Sequence, residues 1–455
     1  MSKILIDILP AYGHFNGSLK LAKMLKNTGH EVVYLNMVPF QAELQKHGLE
    51  YVNIEQFSQQ FALGRRKFKF KVFFKKLFEV NRSEFFKKEN LKLQSFKKSV
   101  NEIAPEIVLL DDLNMLKATY YKLCGVPVVC LDNLPESCMR ENIPPYTSFF
   151  IPSITFYSNI FCKVLWFRKY IQNWFWLKKM QINLIGTDFY SITRKIAKQN
   201  NLSLKGSIDL KRGFNIGIKN IQHIIAAPSA FDFPHTQKEG VYNIGPLVDI
   251  SREGEIEKSR YNVLREKLNK YKEIESGYII YCSLGTITKR FQARKKKFLL
   301  EMVKVATMNT SDLFVISAGN DFNINQLFPV PDNMYVFEFV PQVDLLKYCD
   351  IMITHGGINT ISECIFCEVP MLVYPLSLYW DQPGNSARVV YHGLGLNGRI
   401  NRDSAKKISG KLNHIKSNYD LFKQNVLRMK TKFDEKNNST EVVSIIGNIL
   451  NEFKQ

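Results

Sequence analysis

The stretch that decides the fold is residues 351–374, IMITHGGINTISECIFCEVPMLVY. It begins with a short apolar run, Ile351–Thr354, passes through two glycines into a helical pattern, and ends in a second apolar run, Met371–Tyr374. Apolar runs that alternate with helices are typical of parallel strands covered by helices on both faces. The stretch therefore predicts one strand–helix–strand unit of a doubly wound parallel sheet.

The same alternation extends over most of the chain, which indicates an α/β fold with two Rossmann-like doubly wound domains facing a cleft. Between the first two strands we expect a turn at Gly13–Gly17 and a helix over Ser18–Lys26. The predicted strands outside the opening stretch are Lys3–Leu9, Glu31–Leu35, Ile107–Leu110, Val126–Leu131, Tyr278–Cys282, Leu313–Ser317 and Met334–Phe337.

The 455 residues suffice for two or three domains, each with its own core. The sequence Asn243–Pro246 and the charged run after it predict a connection between the two halves. We therefore predict a first domain over residues 1–243, a second over residues 244–430, and a C-terminal helix over residues 431–455 that packs back on the first domain.

The formal net charge of +20, from 62 Lys and Arg against 42 Asp and Glu, is unevenly distributed. Residues 51–100 and 151–200 carry net charges of +9 and +7, whereas residues 301–400 carry −6. The excess of positive charge therefore belongs to the first half of the chain.

The basic stretches are also rich in aromatic residues. Over residues 65–98, Phe and Leu recur at helical spacing among lysines, and residues 161–180 combine three tryptophans with Lys and Arg. Three interpretations follow: a core helix with a solvated lysine face, a peripheral contact with an anionic membrane through residues 65–98 and 161–180, and nucleic-acid binding. Nucleic acid is not predicted as a partner, because no helix-turn-helix, zinc-finger or RNA-binding motif accompanies the charge.

No segment predicts a membrane span, because prolines interrupt the uncharged residues 142–162. Eight cysteines are too few and too scattered for a disulfide framework, and the first nine residues do not resemble a secretory signal. We therefore expect a cytoplasmic protein, with a peripheral place at the inner face of the membrane as the alternative.

Two glycines stand where the strand of the opening stretch gives way to its helix. Gly356 and Gly357 let backbone N–H groups approach a ligand, and the positive end of the helix favours an anion such as a diphosphate. His355, directly before them, could donate a hydrogen bond to a phosphate oxygen. Two glycines are also expected in a tight structural turn, so this pattern alone is weak evidence for an anion-binding site.

The neighbouring residues strengthen the interpretation as a nucleotide-sugar site. Glu363 lies one helical turn after Asn359, so its carboxylate could accept both hydroxyls of a ribose. Asp381 and Gln382, after the next strand, offer hydrogen-bonding groups to sugar hydroxyls at the edge where α/β folds bind ligands. Gln342 presents an amide suited to a pyrimidine.

The span Phe339–Asn385, with FVPQ, THGGINT, SE and DQPGN in that order, resembles the donor-binding signature of the family-one sugar-nucleotide glycosyltransferases, inverting enzymes of the GT-B fold. The loop Ser283–Thr286 resembles the family's phosphate-contacting loop. The GHFN turn at Gly13–Asn16 and FDFP at Phe231–Pro234 lean toward the bacterial branch of zeaxanthin and macrolide glycosyltransferases. The resemblance covers nearly the whole chain, strongly after residue 230 and loosely between residues 40 and 220.

The resemblance implies a role for each matching residue. It places the donor in the second domain and the acceptor in the first. Glu363 would bind the ribose, Gln342 would face the base, and Asp381 with Gln382 would bind the sugar. The diphosphate would be held by His355, Gly356, Gly357, Asn359 and Thr360, with Ser283 and Thr286 assisting from across it. His14 would be the general base and Asp111 its partner.

The chemistry of transfer explains that last pair independently. An acceptor hydroxyl is a poor nucleophile at neutral pH, and an imidazole within hydrogen-bond reach can take its proton. A carboxylate on the other ring nitrogen fixes the tautomer and stabilises the imidazolium. His14 and Asp111 both follow predicted strands, where such a pair can meet. Asp112 is the immediate rival of Asp111, because a shift of one residue in the strand end exchanges them.

Two positions depart from the family's pattern. Glu368 stands where the family usually has Gly, so the turn after the donor helix is expected to differ in packing or conformation. Phe339 stands where plant members carry Trp, which leaves uridine and thymidine donors both open.

The sequence is thus interpreted as an inverting glycosyltransferase that moves a hexose from a UDP- or dTDP-sugar to a hydroxyl of a small lipophilic acceptor, such as a carotenoid, polyketide or aryl polyene. No metal or cofactor is expected, because no paired-carboxylate metal motif is apparent. The alternatives are a membrane-docked lipid glycosyltransferase and a sugar-nucleotide-binding protein without turnover.

Overall fold

The computed structural model describes residues 1–54, 82–132, 138–213, 216–236, 238–249, 258–274, 277–285, 291–436 and 439–454. Two parallel sheets organise this part of the chain, one in each half. The seven-stranded sheet has the spatial order Glu50–Val52, Glu31–Leu35, Lys3–Asp7, Ile107–Asp111, Val128–Asp132, His223–Pro228 and Val241–Gly245. The six-stranded sheet has the order Met334–Phe337, Leu313–Ser317, Ile279–Ser283, Ile351–Thr354, Met371–Val373 and Gly395–Asn397.

Helices cover both faces of the two sheets. In the first half they are Tyr12–Asn27, Gln41–Lys46, Arg82–Ile103, Ala118–Lys122, Phe156–Asn183 and Phe189–Gln199, with a small hairpin of Ile208–Asp209 and Gly217–Ile218. In the second half they are Lys258–Ile274, Gln292–Met308, Gln342–Leu346, Ile358–Phe366, Gln382–Tyr391, Ala405–Ser417, Tyr419–Lys436 and Ser439–Lys454. Short 3₁₀ turns lie at Val38–Phe40, Asp112–Lys117, Ser229–Phe231 and Ile324–Leu327.

The apolar runs of the sequence are strands buried on both faces. Along the first strand, Ile4 and Ile6 pack into one core cluster, and Leu5 packs into the cluster on the opposite face of the sheet. All three side chains are fully buried. A strand with helices on both sides buries both of its faces, which is why the middle of these strands is continuously apolar and shows no polar alternation. The prediction of two doubly wound domains is confirmed.

Some local predictions were wrong. Gly13–Gly17 does not form a turn but lies in the first turns of the helix Tyr12–Asn27, which follows an extended Ala11. The helix tolerates its glycines because Phe15 and Leu19 are buried in the core, so tertiary packing outweighs the low helix propensity of glycine. Four strands of the two parallel sheets were missed, Glu50–Val52, His223–Pro228, Val241–Gly245 and Gly395–Asn397, as was the small hairpin.

The last helix, Ser439–Lys454, lies on the first sheet although it follows the second sheet in the chain. Val442, Ile446 and Ile449 recur at helical spacing and enter the same core cluster as Ile4 of the first strand. The predicted limits of the two domains stay predictions. None of the helices in the described ranges is both long and apolar enough to cross a bilayer.

The basic stretch of residues 65–98 is described only from residue 82 onward. The helix Arg82–Ile103 packs Leu93, Phe96 and Val100 into the core. This part is therefore a core helix with a solvated basic face, the first of the three interpretations. The earlier part, residues 65–81, lies outside the described residues.

Candidate functional site

His14 and Asp111 meet at the carboxyl edge of the first sheet. The strands Lys3–Asp7 and Ile107–Asp111 run parallel with Asp7 beside Leu110, so their carboxyl ends lie together. Asp111 ends its strand, and His14 stands in the first turn of the helix that follows Lys3–Asp7. Nδ1 of His14 lies 2.7 Å from Oδ2 of Asp111, and His14 is 8% exposed.

The backbone holds the Asp111 carboxylate in this orientation. Its Oδ2 accepts a hydrogen bond from the N–H of Leu9 at 3.1 Å, and its Oδ1 accepts one from the N–H of Leu113 at 2.9 Å. The rival Asp112 points elsewhere and forms an ion pair with Arg212. Of the two adjacent carboxylates, Asp111 is therefore the one that contacts His14.

The charge around His14 favours its protonated form. Burial alone would lower the pKa of the imidazole, but the carboxylate of Asp111, with a smaller contribution from Asp381, raises the pKa above its ordinary value. Because Nδ1 faces the carboxylate, Nε2 is the ring atom left to take a proton from a substrate.

Asp381, from the second half, completes this polar group. Burial raises the pKa of Asp381 to about 6, against the opposing effect of its hydrogen bond with Asn385. The amide of Asn385 donates to Oδ2 of Asp381 at 2.7 Å and to the carbonyl of Gly356 at 2.9 Å. Asn385 thereby connects Asp381, predicted to bind the sugar, with Gly356 of the turn that is predicted to hold the diphosphate. It was quoted within the DQPGN motif but not predicted as a site residue.

The glycine turn has the conformation that its sequence suggested. Gly356 has φ +87°, and a Cβ there would lie 2.7 Å from Cγ1 of Val373. Gly357 is extended and precedes the helix Ile358–Phe366, in which no side chain caps the first turn. The N–H groups of this helix terminus are therefore available to an anion.

His355 lies flat against the same turn. Cβ atoms placed on Gly285 and Gly357 would lie 2.6 and 2.9 Å from its ring, so glycine at both positions makes room for the imidazole. Burial lowers the pKa of His355 to about 4, so the ring is neutral at physiological pH. A neutral imidazole can donate one hydrogen bond to a phosphate oxygen without adding a charge.

Gln342, Thr360 and Glu363 form one hydrogen-bonded group behind the turn. The amide of Gln342 donates to Oε2 of Glu363 at 2.5 Å and to Oγ1 of Thr360 at 3.2 Å. Glu363 is buried and lines a pocket of about 130 Å³ between the halves, whose wall also includes Asn359 and Lys23. The predicted base- and ribose-binding residues are thus neighbours at one end of the cleft.

Asn359 bridges the cleft directly. Its amide donates to the carbonyl of Gly13, one residue before His14, at 2.8 Å. The helix that follows Gly356 and Gly357 therefore touches the helix that carries His14, the predicted general base.

The remaining predicted residues are placed as follows. Ser283 ends the strand Ile279–Ser283 and pairs in register with Thr354, beside the glycine turn. Oε1 of Gln382 accepts hydrogen bonds from the N–H groups of Leu376 and Ser377, so only its amide nitrogen could serve a sugar hydroxyl. Thr286 lies outside the described residues.

A buried cluster of charges joins the two halves near this site. The carboxylate of Asp232 lies between Arg140, at 2.6 Å, and Arg388 of the second half, at 2.6 Å. Burial alone would raise the pKa of Asp232, but the two arginines lower it below its ordinary value. The guanidinium of Arg388 also stacks on the ring of Tyr146 at 3.7 Å. Asp232 is the Asp of the FDFP motif, but the sequence alone did not indicate that a cation from the other half would meet it.

One group of metal-ligand type was not predicted. Ligand atoms of Asp112, Cys130, Asp132 and His223 lie within 4.8 Å of one another and are buried. The guanidinium of Arg212 contacts Asp112, and Nδ1 of His223 lies 2.8 Å from Asp132. A cation therefore already balances this cluster, and we assign it a structural role.

Glu368 has the left-handed backbone conformation that a glycine would adopt at this turn. It has φ +62°, the left-handed region that favours glycine, so the expected departure is in packing and not in backbone conformation. Its carboxylate lies 2.7 Å from Nζ of Lys430, and its carbonyl accepts a hydrogen bond from Lys423 at 2.8 Å.

The chain is similar in sequence to several glycosyltransferases and to a family of biosynthetic proteins. Residues 303–449 match the family of the C-terminal domain of erythromycin biosynthesis protein CIII-like proteins. The zeaxanthin glucosyltransferase of Pantoea ananas is 26% identical over 223 residues, which are 48% of this chain and 47% of that protein. The NDP-glycosyltransferase YjiC of Bacillus subtilis is 22% identical over 391 residues, 85% of this chain and 82% of that protein.

The fold is shared over the whole length of a solved structure. The crystal structure of CalG4, the calicheamicin glycosyltransferase, superposes with a TM-score of 0.64 at 16% identity and covers 99% of this chain and 98% of CalG4. Several curated relatives are matched over less than half of their length, between 25% and 47%. The chain therefore has the GT-B fold of these enzymes, and it is similar in sequence to proteins named as glycosyltransferases.

Proposed function

We propose that this protein is an inverting glycosyltransferase that moves a hexose from a UDP- or dTDP-sugar to a hydroxyl of a small lipophilic acceptor. The observation that carries the proposal is the contact between His14 and Asp111 at a cleft whose other wall is the glycine turn. A binding protein without turnover needs the turn but has no use for a buried, carboxylate-paired imidazole beside it.

In the proposed reaction, His14 removes the proton of the acceptor hydroxyl through Nε2. The acceptor oxygen forms a bond to the anomeric carbon while the bond from that carbon to the diphosphate oxygen breaks. The nucleoside diphosphate leaves with the electron pair, and the proton stays on His14. Asp111 stabilises the imidazolium, as its effect on the pKa of His14 indicates.

The leaving group is stabilised by the second half. The helix terminus after Gly357 offers backbone N–H groups where negative charge develops, and neutral His355 offers one ring N–H. Neither group has to reorganise during the reaction, because the turn is already formed. Asp381 and the amide nitrogen of Gln382 would orient the hexose for in-line attack.

A lipophilic acceptor is supported by the names of the related zeaxanthin and calicheamicin enzymes. UDP-sugars and dTDP-sugars are both candidate donors, and the test below compares them.

The test is acceptor-dependent release of nucleoside diphosphate from UDP-glucose and dTDP-glucose with a panel of lipophilic alcohols. We expect release with at least one pair and loss of release in His14→Ala. His414→Ala, at an exposed histidine of the second half, is the matched control and should keep full activity. Donor binding without release across the panel would favour the binding-protein alternative, and full release by His14→Ala would refute the assigned base.

A further inference from the structure

The helix Phe156–Asn183 turns an apolar face toward solvent. Tyr157, Phe167 and Phe175 are 82%, 66% and 62% exposed, and they recur at helical spacing. Further exposed apolar residues on and beside this helix are Ile154, Phe156, Ile160, Phe161, Val164, Trp174 and Ile182. A contiguous group of exposed apolar side chains on one helix face is typical of a surface that binds another protein or a membrane.

The opposite face of the helix is anchored, so its orientation is fixed. Cys162, Trp166 and Leu177 are buried at helical spacing. The indole N–H of Trp166 donates to the carbonyl of Ile143 at 2.7 Å, and the amide of Asn173 donates to the carbonyl of Arg212 at 2.8 Å. The aromatic residues on the outer face therefore cannot turn inward without breaking these buried contacts.

The charge on the helix has one sign. It contains Lys163, Arg168, Lys169, Lys178 and Lys179, and no acidic residue. Pairing this face with a second copy of the chain would bring two such sets of cations together, which opposes association. A negatively charged surface with an apolar interior complements both the charge and the aromatic side chains.

We propose that the outer face of the helix Phe156–Asn183 docks the protein on an anionic lipid bilayer. The aromatic residues would enter the interface between headgroups and acyl chains, and the lysines and arginines would contact the lipid phosphates. This surface is separate from the catalytic pair and from the glycine turn.

The position of the helix links docking to the cleft. The ring of Phe161 on the helix packs against the ring of Phe150 at 4.7 Å. Earlier in the same loop, the carbonyl of Tyr146 accepts a hydrogen bond from the N–H of Gly384 in the second half at 2.7 Å. This link rests on the proposed function: a lipophilic acceptor dissolved in the bilayer would be delivered beside the loop that borders the cleft.

The experiment is flotation of the full-length chain with vesicles of phosphatidylcholine, with and without phosphatidylglycerol, at low and high salt. We expect binding to the anionic vesicles only, weakened by salt because surface charge is screened. The double variant Phe167→Glu with Phe175→Glu should reduce partitioning at least about tenfold, since it places two charges in the interface. The matched control, Val263→Glu with Leu421→Glu, changes apolar residues that are 54% and 57% exposed on other helices and should bind as the unaltered chain does.

A second variant protects the test against misfolding. Lys178→Gln with Lys179→Gln alters only exposed residues and should weaken binding about tenfold at low salt, with a smaller effect at high salt. Three outcomes would overturn the proposal: no flotation of the unaltered chain, equal flotation of the Phe167/Phe175 variant, or a dimer that this variant dissociates. Diphosphate release with an acceptor dissolved in water should be unchanged in both variants, so failure of docking and failure of the proposed activity are distinguishable.

Discussion

The pair of His14 and Asp111 and the glycine turn face the same cleft but are built differently. His14 and Asp111 are far apart in the sequence, and the parallel pairing of two strands brings them to 2.7 Å. Residues 355–357, in contrast, are contiguous and act through backbone N–H groups and the space that glycine leaves. The pair works by a charge between side chains, and the turn works by backbone geometry.

The difference predicts different consequences of mutation. Changes in the pair should slow the chemical step and leave donor binding intact, because neither side chain is predicted to contact the nucleotide. Changes in the turn should weaken donor binding and stability together, because the same backbone serves both. A variant of the pair that weakens donor binding, or a variant of the turn that slows only the chemical step, would contradict this distinction.

The largest effect is expected for His14→Ala. The variant removes the base, and general base catalysis typically contributes about 10²–10⁴-fold, so kcat should fall about 10³-fold. The dissociation constant for the donor, measured by titration calorimetry, should change less than about twofold. A comparable loss in donor affinity would show that His14 is part of the donor site.

Asp111→Asn should reduce kcat about 10²-fold, because the imidazolium formed during transfer loses its partner. The base must be neutral to act, so activity rises with pH as His14 loses its proton. Without Asp111, burial lowers the pKa of His14 against only the smaller opposing effect of Asp381. The acidic limb of the kcat/KM profile should therefore move to lower pH. A limb that stays in place would contradict the assigned pairing.

Asp381→Asn should stabilise the protein in alkaline solution. Burial raises the pKa of Asp381 to about 6 from 3.8, so the folded state favours the protonated form, and its ionisation costs stability as the pH rises through 6. The variant should gain about 2 kcal/mol in urea unfolding near pH 8.5 and little near pH 4. Asp332→Asn, at an exposed carboxylate, is the control. Equal gains in stability at both pH values would show that ionisation of Asp381 is not the cause.

Gly356→Ala tests the turn. The new Cβ would meet Cγ1 of Val373 at 2.7 Å in a left-handed backbone conformation, so the turn must shift. We expect donor affinity to fall about tenfold and stability to fall about 1–3 kcal/mol. Gly410→Ala, with open space around it inside the helix Ala405–Ser417, should instead stabilise the protein by about 0.5–1 kcal/mol. Unchanged donor affinity in Gly356→Ala would place the diphosphate elsewhere.

The smallest effect is expected for Glu368→Gly. Glycine relieves the strain of the left-handed conformation but gives up the contacts with Lys430, so stability should rise by about 1 kcal/mol or less. Thermal unfolding measures the change, and activity should be unaltered. A clear loss of stability would mean that the lysine contacts outweigh the strain.

The sequence was most informative where function is local. The strand, the two glycines and the helix of residues 351–366 are adjacent in the chain, and their geometry follows from backbone physics. The doubly wound fold was likewise predicted from buried apolar strands, and it is confirmed. The start of the helix Tyr12–Asn27 was harder to predict from the sequence. Its two glycines indicate a turn, but the burial of Phe15 and Leu19 stabilises the helix around them.

Contacts between the halves could not be predicted from the sequence. Three contacts depend on how the two halves pack: Asp232 with Arg388, the effect of Asp381 on His14, and the bridge from Asn359 to Gly13. Each involves residue types that are common on surfaces. Only the packed structure shows that these residues meet.

The central claim is that a hydroxyl activated by His14 displaces the nucleotide directly. The most direct test is the anomeric configuration of the product formed from UDP-α-D-glucose, or from the dTDP sugar if that is the donor, read from the anomeric coupling constant by NMR. Direct displacement predicts the β-glycoside. An α-glycoside would require a second displacement or a different reactive group and would contradict the account.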